Sequence, residues 1–219
     1  GRYTLGATDE DWRHECIAVF KEYVRLAGAL GLTEIVIHPI PAKDWVPDID
    51  DPKLPTRIRE AVQRSLDDLM PTIEKSGTRV TLENLPRLNG MPLRTMKELR
   101  GVVDGYPEKA LGLILDTGHV AVLGLDPVDE VHAAGERLCG THIHDIDVRT
   151  QVPAPPWATE GRVDHHSPTL GNLDWAAMRK AFTEIGYTGP WTSEATIPSH
   201  GESREELARE VRDWMTTWV

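Results

Sequence analysis

The sequence predicts an α/β protein in which the strands of a parallel sheet alternate with helices. Five apolar runs have the length of strands, and stretches long enough for a helix lie between them. The run LGLILD at 111–116 contains no polar residue before its end, as expected for a strand that is buried on both faces. All five runs end at an acidic residue or a histidine. Because the catalytic groups of a β/α barrel lie at the ends of its strands, this pattern favours a barrel.

The individual elements are placed by apolar spacing and by capping residues. Strands are predicted at 34–38, 79–85, 111–116, 138–145 and 191–196. Helices, with apolar residues three and four positions apart, are predicted at 9–30, 56–76, 95–103, 127–136, 174–185 and 202–218. Thr8 or Asp9 can cap the first helix and Gly31 can end it, while Asp126 and Pro127 can begin the fourth.

Two long loops complete the predicted chain. Residues 40–55 are rich in proline and acid and are predicted to lie over the end of the first strand. Within this loop Trp45 either contacts substrate as part of a lid or packs the loop down. Residues 147–173 contain four prolines and the cluster Asp164-His165-His166.

The 219 residues suffice for one sizeable hydrophobic core, and we predict a single domain over residues 1–219. A closed (β/α)8 barrel needs eight strands in about 250 residues, whereas five strands are predicted here. We therefore expect that the three N-terminal βα units of a barrel are absent from this chain. An open sheet with the same alternation of strands and helices is the alternative architecture.

The chain is acidic, with a formal net charge of −11 and a pI of about 5.3. Negative charge gives no general attraction to phosphate backbones, which disfavours a nucleic-acid partner. No apolar run reaches the roughly 18 residues of a membrane span and no signal pattern opens the chain, so a cytoplasmic protein without membrane attachment is predicted. Cys16 and Cys139 lack a metal-binding spacing and are predicted to be reduced thiols.

Four of the strand ends carry side chains that can bind one divalent ion. The residues expected to converge, one from each of four successive strands, are Glu83, Asp116, His142 and Glu194. Three carboxylates and one imidazole suit Mn²⁺, Mg²⁺ or Co²⁺, and Zn²⁺ also fits such a site. Because side chains alternate along a strand, His144 shares the face of His142. For any one acid taken alone, a helix cap or an ion pair is the alternative role.

Short motifs around these residues resemble those of the xylose-isomerase-like β/α barrels, the sugar-phosphate isomerase/epimerase superfamily that also contains endonuclease IV. In chain order they are HP at His38, LEN around Glu83, LDTGH ending at His119, HIHD from His142, VDHHSPTLGNLDW from Val163 and SE at Glu194. They span nearly the whole chain. The resemblance implies a TIM barrel of the xylose isomerase-like type. One departure is Gly171-Asn172, where the family segment usually continues as G-x-G.

The resemblance also implies roles for individual residues. It implies that the four converging residues bind the ion and that Glu83 and Glu194 move the proton of the substrate. His144 fits the family's H-x-x-D pattern as well, and it competes with His142 as the ligand. His119 would contact substrate or a second metal ion. Arg149 either reaches a substrate hydroxyl or phosphate or is a solvated loop charge.

These roles predict a divalent-metal-dependent isomerase or epimerase of a small sugar or sugar phosphate. Removing a proton next to a carbonyl leaves negative charge on oxygen as an enediolate forms, and a metal ion stabilises that charge. Lyase or dehydratase chemistry on the same site is an alternative. The sequence also leaves open that the chain binds a substrate without turning it over. It equally allows assembly of the chain as a homo-oligomer.

Endonuclease IV-like cleavage of DNA at abasic sites, with a zinc cluster, is the alternative from a different class. Its additional metal ligands correspond here to His38, His119, Asp164 and His166. The residues that follow the strand ends count against it. Pro-Ile-Pro follows His38 and Asn-Leu-Pro follows Glu83, where the nuclease has small, glycine-rich turns.

Overall fold

The computed structural model describes residues 2–46, 49–86, 90–148, 162–197 and 203–217. The chain forms two compact units, Gly1–Leu113 and Ile114–Val219, and the boundary between them falls within a strand. The single domain over residues 1–219 stays a prediction.

The first unit alternates helices and strands as the sequence predicts. Its elements are α1 (Glu10–Ala29), β1 (Glu34–Ile37), α2 (Leu54–Ser76), β2 (Arg79–Glu83), α3 (Met96–Val103) and the beginning of β3 (Leu111–Asp116). β1 and β2 are parallel, and β3 lies beside β2. The register pairs Ile37 with Leu82, so that the residues that follow them, His38 and Glu83, lie at the same end of the two strands.

Local chemistry explains where the first two helices begin and end. The Asp9 carboxylate caps α1 by accepting the backbone N–H of Trp12 at 2.9 Å. Gly31 and Gly77 follow α1 and α2 with φ values of 69° and 72°, a left-handed conformation that glycine adopts without strain. α2 begins at Leu54, before the predicted start at residue 56, because a proline is tolerated in the first turn of a helix.

The second unit carries the remaining strands. After the end of β3 it contains α4 (Thr117–Val122), α5 (Pro127–Ala134), β4 (Leu138–Ile143), β5 (Asp145–Val148), β6 (Arg162–His166), α6 (Trp175–Glu184), β7 (Trp191–Ser193) and α7 (Arg204–Thr216). β4 lies beside β3 and is parallel to β7. The pairing of Ile143 with Ser193 places the next residue of each strand, His144 and Glu194, at the same end.

Three elements of the second unit, β5, β6 and α4, differ from the sequence prediction. A loop was predicted over residues 147–173, but β5 and β6 form an antiparallel pair there, while residues 149–161 lie outside the described part of the chain. β6 has the sequence RVDHH, which lacks the alternation of apolar and polar residues that identifies a strand. No helix was predicted at α4, because six residues are too few for a helical period to be recognised.

Apolar side chains at the predicted helical spacing form the core. On α2 the fully buried apolar side chains include Ile58, Val62, Leu66 and Leu69. Burying a side chain of this size contributes about 1.5–3 kcal/mol. None of the helices in the described ranges combines the length with the hydropathy that a bilayer span requires.

Candidate metal centre at the strand ends

In the first unit, His38 and Glu83 form a pair at the ends of β1 and β2. His38 Nε2 lies 3.3 Å from Glu83 Oε2. The Glu83 side chain is buried, whereas half of the His38 side chain is exposed. Trp45, in the predicted loop over this strand end, is 44% exposed, and the Arg2 guanidinium lies 5.7 Å from the centre of its ring.

In the second unit, Asp116 lies at the end of β3 and is completely buried. Its Oδ1 accepts the backbone N–H of His119 at 2.8 Å, so that Asp116 is also the N-cap of α4. The capping role that we considered for any single strand-end acid is therefore present here. It does not exclude metal binding, because each carboxylate oxygen has two lone pairs.

His142 and Glu194 lie next to Asp116 in the same unit. His142 Nδ1 is 3.3 Å from Glu194 Oε1 and 3.9 Å from Asp116 Oδ2. The backbone N–H of Glu194 donates to the carbonyl of Ile143 at 3.2 Å, which continues the pairing of β7 with β4 and positions the carboxylate. One donor atom from each of these three residues lies within 4.8 Å of the others.

This donor set fits a divalent cation. Two carboxylates and one imidazole nitrogen are ligands that such ions take in proteins. Oxygens of the two carboxylates lie within 4.8 Å of each other, and a cation bound between them would offset their mutual repulsion. Asp116, His142 and Glu194 could together hold one ion.

A second group of histidines surrounds Asp116. His144 Nε2 lies 2.8 and 2.9 Å from the two Asp116 oxygens, and His119 Nδ1 lies 3.3 Å from Oδ2. His144 stacks on His165 with ring centres 4.4 Å apart, and His119 meets both rings edge-on. His165 Nδ1 lies 3.2 Å from the backbone oxygen of Glu194.

The LDTGH motif accommodates the His144 ring. A Cβ at Gly118 would lie 2.1 Å from His144 Cε1, a distance that no side chain can tolerate. Thr117 Oγ1 donates to the His144 carbonyl at 2.7 Å and accepts its backbone N–H at 3.1 Å. The motif therefore holds both the ring and the backbone of His144.

Asp145 is a buried carboxylate to which the sequence analysis gave no role of its own. Its Oδ1 accepts the N–H of Ile146 at 2.7 Å, and its Oδ2 accepts four further N–H groups. The backbones of Gly171 and Asn172 and the Trp175 indole donate at 3.0–3.2 Å, and the backbone of Leu173 donates at 3.5 Å. Burial raises the pKa of the Asp145 carboxyl above its usual value, and these hydrogen bonds oppose the increase.

The loop that departs from the family's G-x-G pattern is thus held by Asp145. Gly171 has a φ of 76°, which explains why glycine is retained there. The Asn172 side chain donates to the carbonyl of Ile146 at 2.6 Å, so asparagine fixes the loop to β5.

Among the remaining predicted site residues, His166 is the one whose side chain the structure describes, and it ends β6. His166 is buried, and its backbone pairs with Asp145. Arg149 and the side chain of Asp164 lie outside the described residues. His165, for which no role was predicted, contacts the group around Asp116. The signal that could have pointed to it was its place within the Asp164-His165-His166 cluster.

Comparison with known proteins decides the family. Residues 1–218 match the family model described as the xylose isomerase-like TIM barrel. The chain belongs to this family. The predicted family and fold class are therefore confirmed, and a xylose isomerase-like TIM barrel is the fold to which these strands and helices belong.

Sugar epimerases are among the proteins to which this chain is similar. A D-psicose 3-epimerase of Enterocloster bolteae is 25% identical over 71% of this chain and 45% of its own length. Among solved structures, the 3-keto-D-glucoside 4-epimerase YcjR from E. coli has a TM-score of 0.77 at 20% identity, covering 99% of this chain and 76% of that chain. An IolI protein with a bound zinc atom has a TM-score of 0.75 at 21% identity, covering 99% and 73%.

The chain spans about half the length of the curated relatives that it matches first, 55% of one and 45% of another. Its solved neighbours are covered to about three quarters, 76% and 73%.

Proposed function

We propose that this chain carries the catalytic residues of a divalent-metal-dependent isomerase or epimerase that acts on a small sugar or polyol. The observation on which the proposal depends is the cluster of Asp116, His142 and Glu194, whose donor atoms lie within 4.8 Å of one another. The relationship to a D-psicose 3-epimerase and the structural likeness to a zinc-binding protein and to a sugar epimerase support it.

The three clustered residues are proposed to hold the ion, with Glu83 as a fourth ligand. The role of Glu83 rests on its position at the end of β2 and on the family resemblance. When bound, the ion supplies positive charge that offsets the negative charge developing on substrate oxygen. Mn²⁺, Mg²⁺ and Co²⁺ are the candidates from the sequence, and Zn²⁺ is supported by the zinc-containing relative.

Glu83 and Glu194 are proposed to move the proton. One carboxylate takes a proton from the carbon beside the carbonyl, and the electron pair of the broken C–H bond moves toward the carbonyl oxygen. Return of a proton to the neighbouring carbon interconverts an aldose and a ketose. Return to the opposite face of the same carbon, from the other carboxylate, inverts its configuration.

Glu194 and Glu83 differ in solvent exposure, which supports different roles for them in proton transfer. The Glu194 side chain is about one third exposed, at 36%, and can approach a substrate that enters from solvent. Glu83 is buried, and its contact with His38 holds its orientation. His38 and His119 are proposed to contact substrate hydroxyls, because both lie beside a proposed ligand.

The first test is the metal content of the purified protein, measured by elemental mass spectrometry. About one Mn, Co, Mg or Zn per chain is expected. Two or three zinc ions per chain would instead favour the abasic-site nuclease. Absence of metal after reconstitution with each ion would contradict the proposal.

The second test follows proton transfer directly. Incubation with a panel of ketoses in D₂O should introduce deuterium at the carbon beside the carbonyl, detected by ¹H NMR. Glu194→Gln should lower this exchange by roughly 10²–10⁴-fold, the range for loss of a general acid–base group. Glu184→Gln, an exposed carboxylate on α6 that pairs with His132, is the matched control and should exchange at the wild-type rate. Full exchange in Glu194→Gln would refute the assigned role.

A further inference from the structure

Both ring nitrogens of His144 are engaged, and the ring is fully buried. Nδ1 lies 2.8 Å from the backbone nitrogen of His165, which donates its N–H to it. A backbone N–H can only donate, so Nδ1 must accept with its lone pair and carries no proton. The proton of the neutral ring therefore resides on Nε2, which is 2.9 Å from Oδ2 of Asp116.

We propose that His144 is a positioning residue, held in the Nε2–H tautomer, that orients the Asp116 carboxylate and does not itself bind the ion. A metal ligand must offer a lone pair, but the lone pair of Nδ1 accepts the His165 N–H and Nε2 carries the proton. His142 is then the imidazole ligand. The proposal rests on the proposed function in one respect, namely that Asp116 is a ligand.

The surroundings of the ring support this role. Gly118 leaves the space that the ring fills, since a Cβ there would lie 2.2 Å from His144 Nδ1. His165 has a φ of 60°, which is rare for a residue other than glycine, and this backbone conformation aims its N–H at the ring. The backbone of β6 therefore sets the orientation of a carboxylate at the end of β3.

A hydrogen bond of this kind should strengthen metal binding without a direct bond to the ion. Partners that orient metal ligands typically change metal affinity about 10–100-fold when they are removed. Two substitutions separate the two functions of the ring. His144→Gln places an amide N–H near the position of Nε2, whereas His144→Asn places a carbonyl oxygen near the position of Nδ1.

The tautomer is tested first, on the metal-free protein, by long-range ¹H–¹⁵N NMR of the imidazole rings. The His144 signals, assigned by their loss in His144→Gln, should show a protonated Nε2 and an unprotonated Nδ1. A proton on Nδ1, or rapid exchange between the two nitrogens, would overturn the proposal whether or not the protein binds metal.

The metal-binding role is tested by calorimetric titration with Mn²⁺ or Co²⁺. His144→Asn, which loses the donor to Asp116, should bind about 10–100-fold more weakly than wild type. His144→Gln keeps a donor to Asp116, so its metal affinity should remain within about fivefold of that of wild type. This loss is smaller than the roughly tenfold that is the least expected when an outer partner is removed. His132→Asn, at an exposed histidine that pairs with Glu184, is the matched control and should match wild type.

The outcomes distinguish this inference from the proposed function. If both His144 variants lose binding alike and the Co²⁺ absorption spectrum changes in His144→Gln, His144 is a ligand and the inference is wrong. Unchanged affinity in His144→Asn would also overturn it, while leaving the proposed metal site intact. If wild type binds no divalent ion, the proposed function and the metal-binding part of the inference both fail.

Discussion

Asp145→Ala should destabilise the second unit more than any other single carboxylate substitution that we consider. The change removes the acceptor of five N–H groups, four of them at 2.7–3.2 Å, in a completely buried place. Each hydrogen bond to a charged acceptor contributes about 1.5–3 kcal/mol, which gives roughly 6–12 kcal/mol for the four. The cost of burying the carboxylate offsets several kcal/mol of this sum. We therefore expect a loss of about 3–5 kcal/mol.

The measurement is urea unfolding followed by circular dichroism, with the free energy extrapolated at a common slope. Asp174→Ala is the matched control, because Asp174 is an exposed N-cap whose carboxylate accepts the N–H of Ala177. Its loss should cost about 1 kcal/mol. If Asp145→Ala costs no more than this control, the hydrogen bonds of Asp145 do not hold the loop at 171–175 and the reasoning is wrong.

Three further predictions concern the same unit. Burial raises the folded-state pKa of Asp145, so the folded protein binds this proton more tightly than the unfolded chain. The stability of wild type relative to Asp145→Asn should therefore fall as pH rises above about 3.8 and become constant beyond the raised pKa. Urea midpoints measured at several pH values test this. Gly118→Ala should cost about 1–3 kcal/mol in thermal unfolding because its Cβ meets the His144 ring, whereas Gly101→Ala, with open space around the new Cβ in α3, should be neutral or stabilising. His142→Ala should weaken Mn²⁺ binding by more than the roughly 10–100-fold that losing an outer partner costs, measured by calorimetry.

Much of the fold can be predicted from the sequence because the signals are local. The cap at Asp9 and the left-handed glycines at 31 and 77 fix helix ends through bonds that span only a few residues. The long apolar run of β3 and the acid at its end can also be recognised from the sequence of that strand alone. These features placed the five parallel strands and the strand-end residues.

The parts that could not be predicted depend on contacts between distant residues. β6 is stabilised by pairing with β5 rather than by its own pattern, and Asp145 accepts N–H groups from residues 171–175. Alternation along the predicted strand 138–145 places His142 and His144 on one face but does not show which ring has a free lone pair. That difference arises from the N–H of His165, whose direction depends on a backbone angle.

At His165, the stability of the backbone and the contacts of the side chain favour different residues. A side chain in the left-handed region costs roughly 1–2 kcal/mol that glycine would not incur, yet the position carries a histidine with a φ of 60°. The imidazole remains in contact with His144 and with the Glu194 backbone at the expense of local stability. Selection for thermal stability alone should therefore favour glycine at this position. The resulting protein would be more stable but would lack the His165 imidazole next to the strand ends.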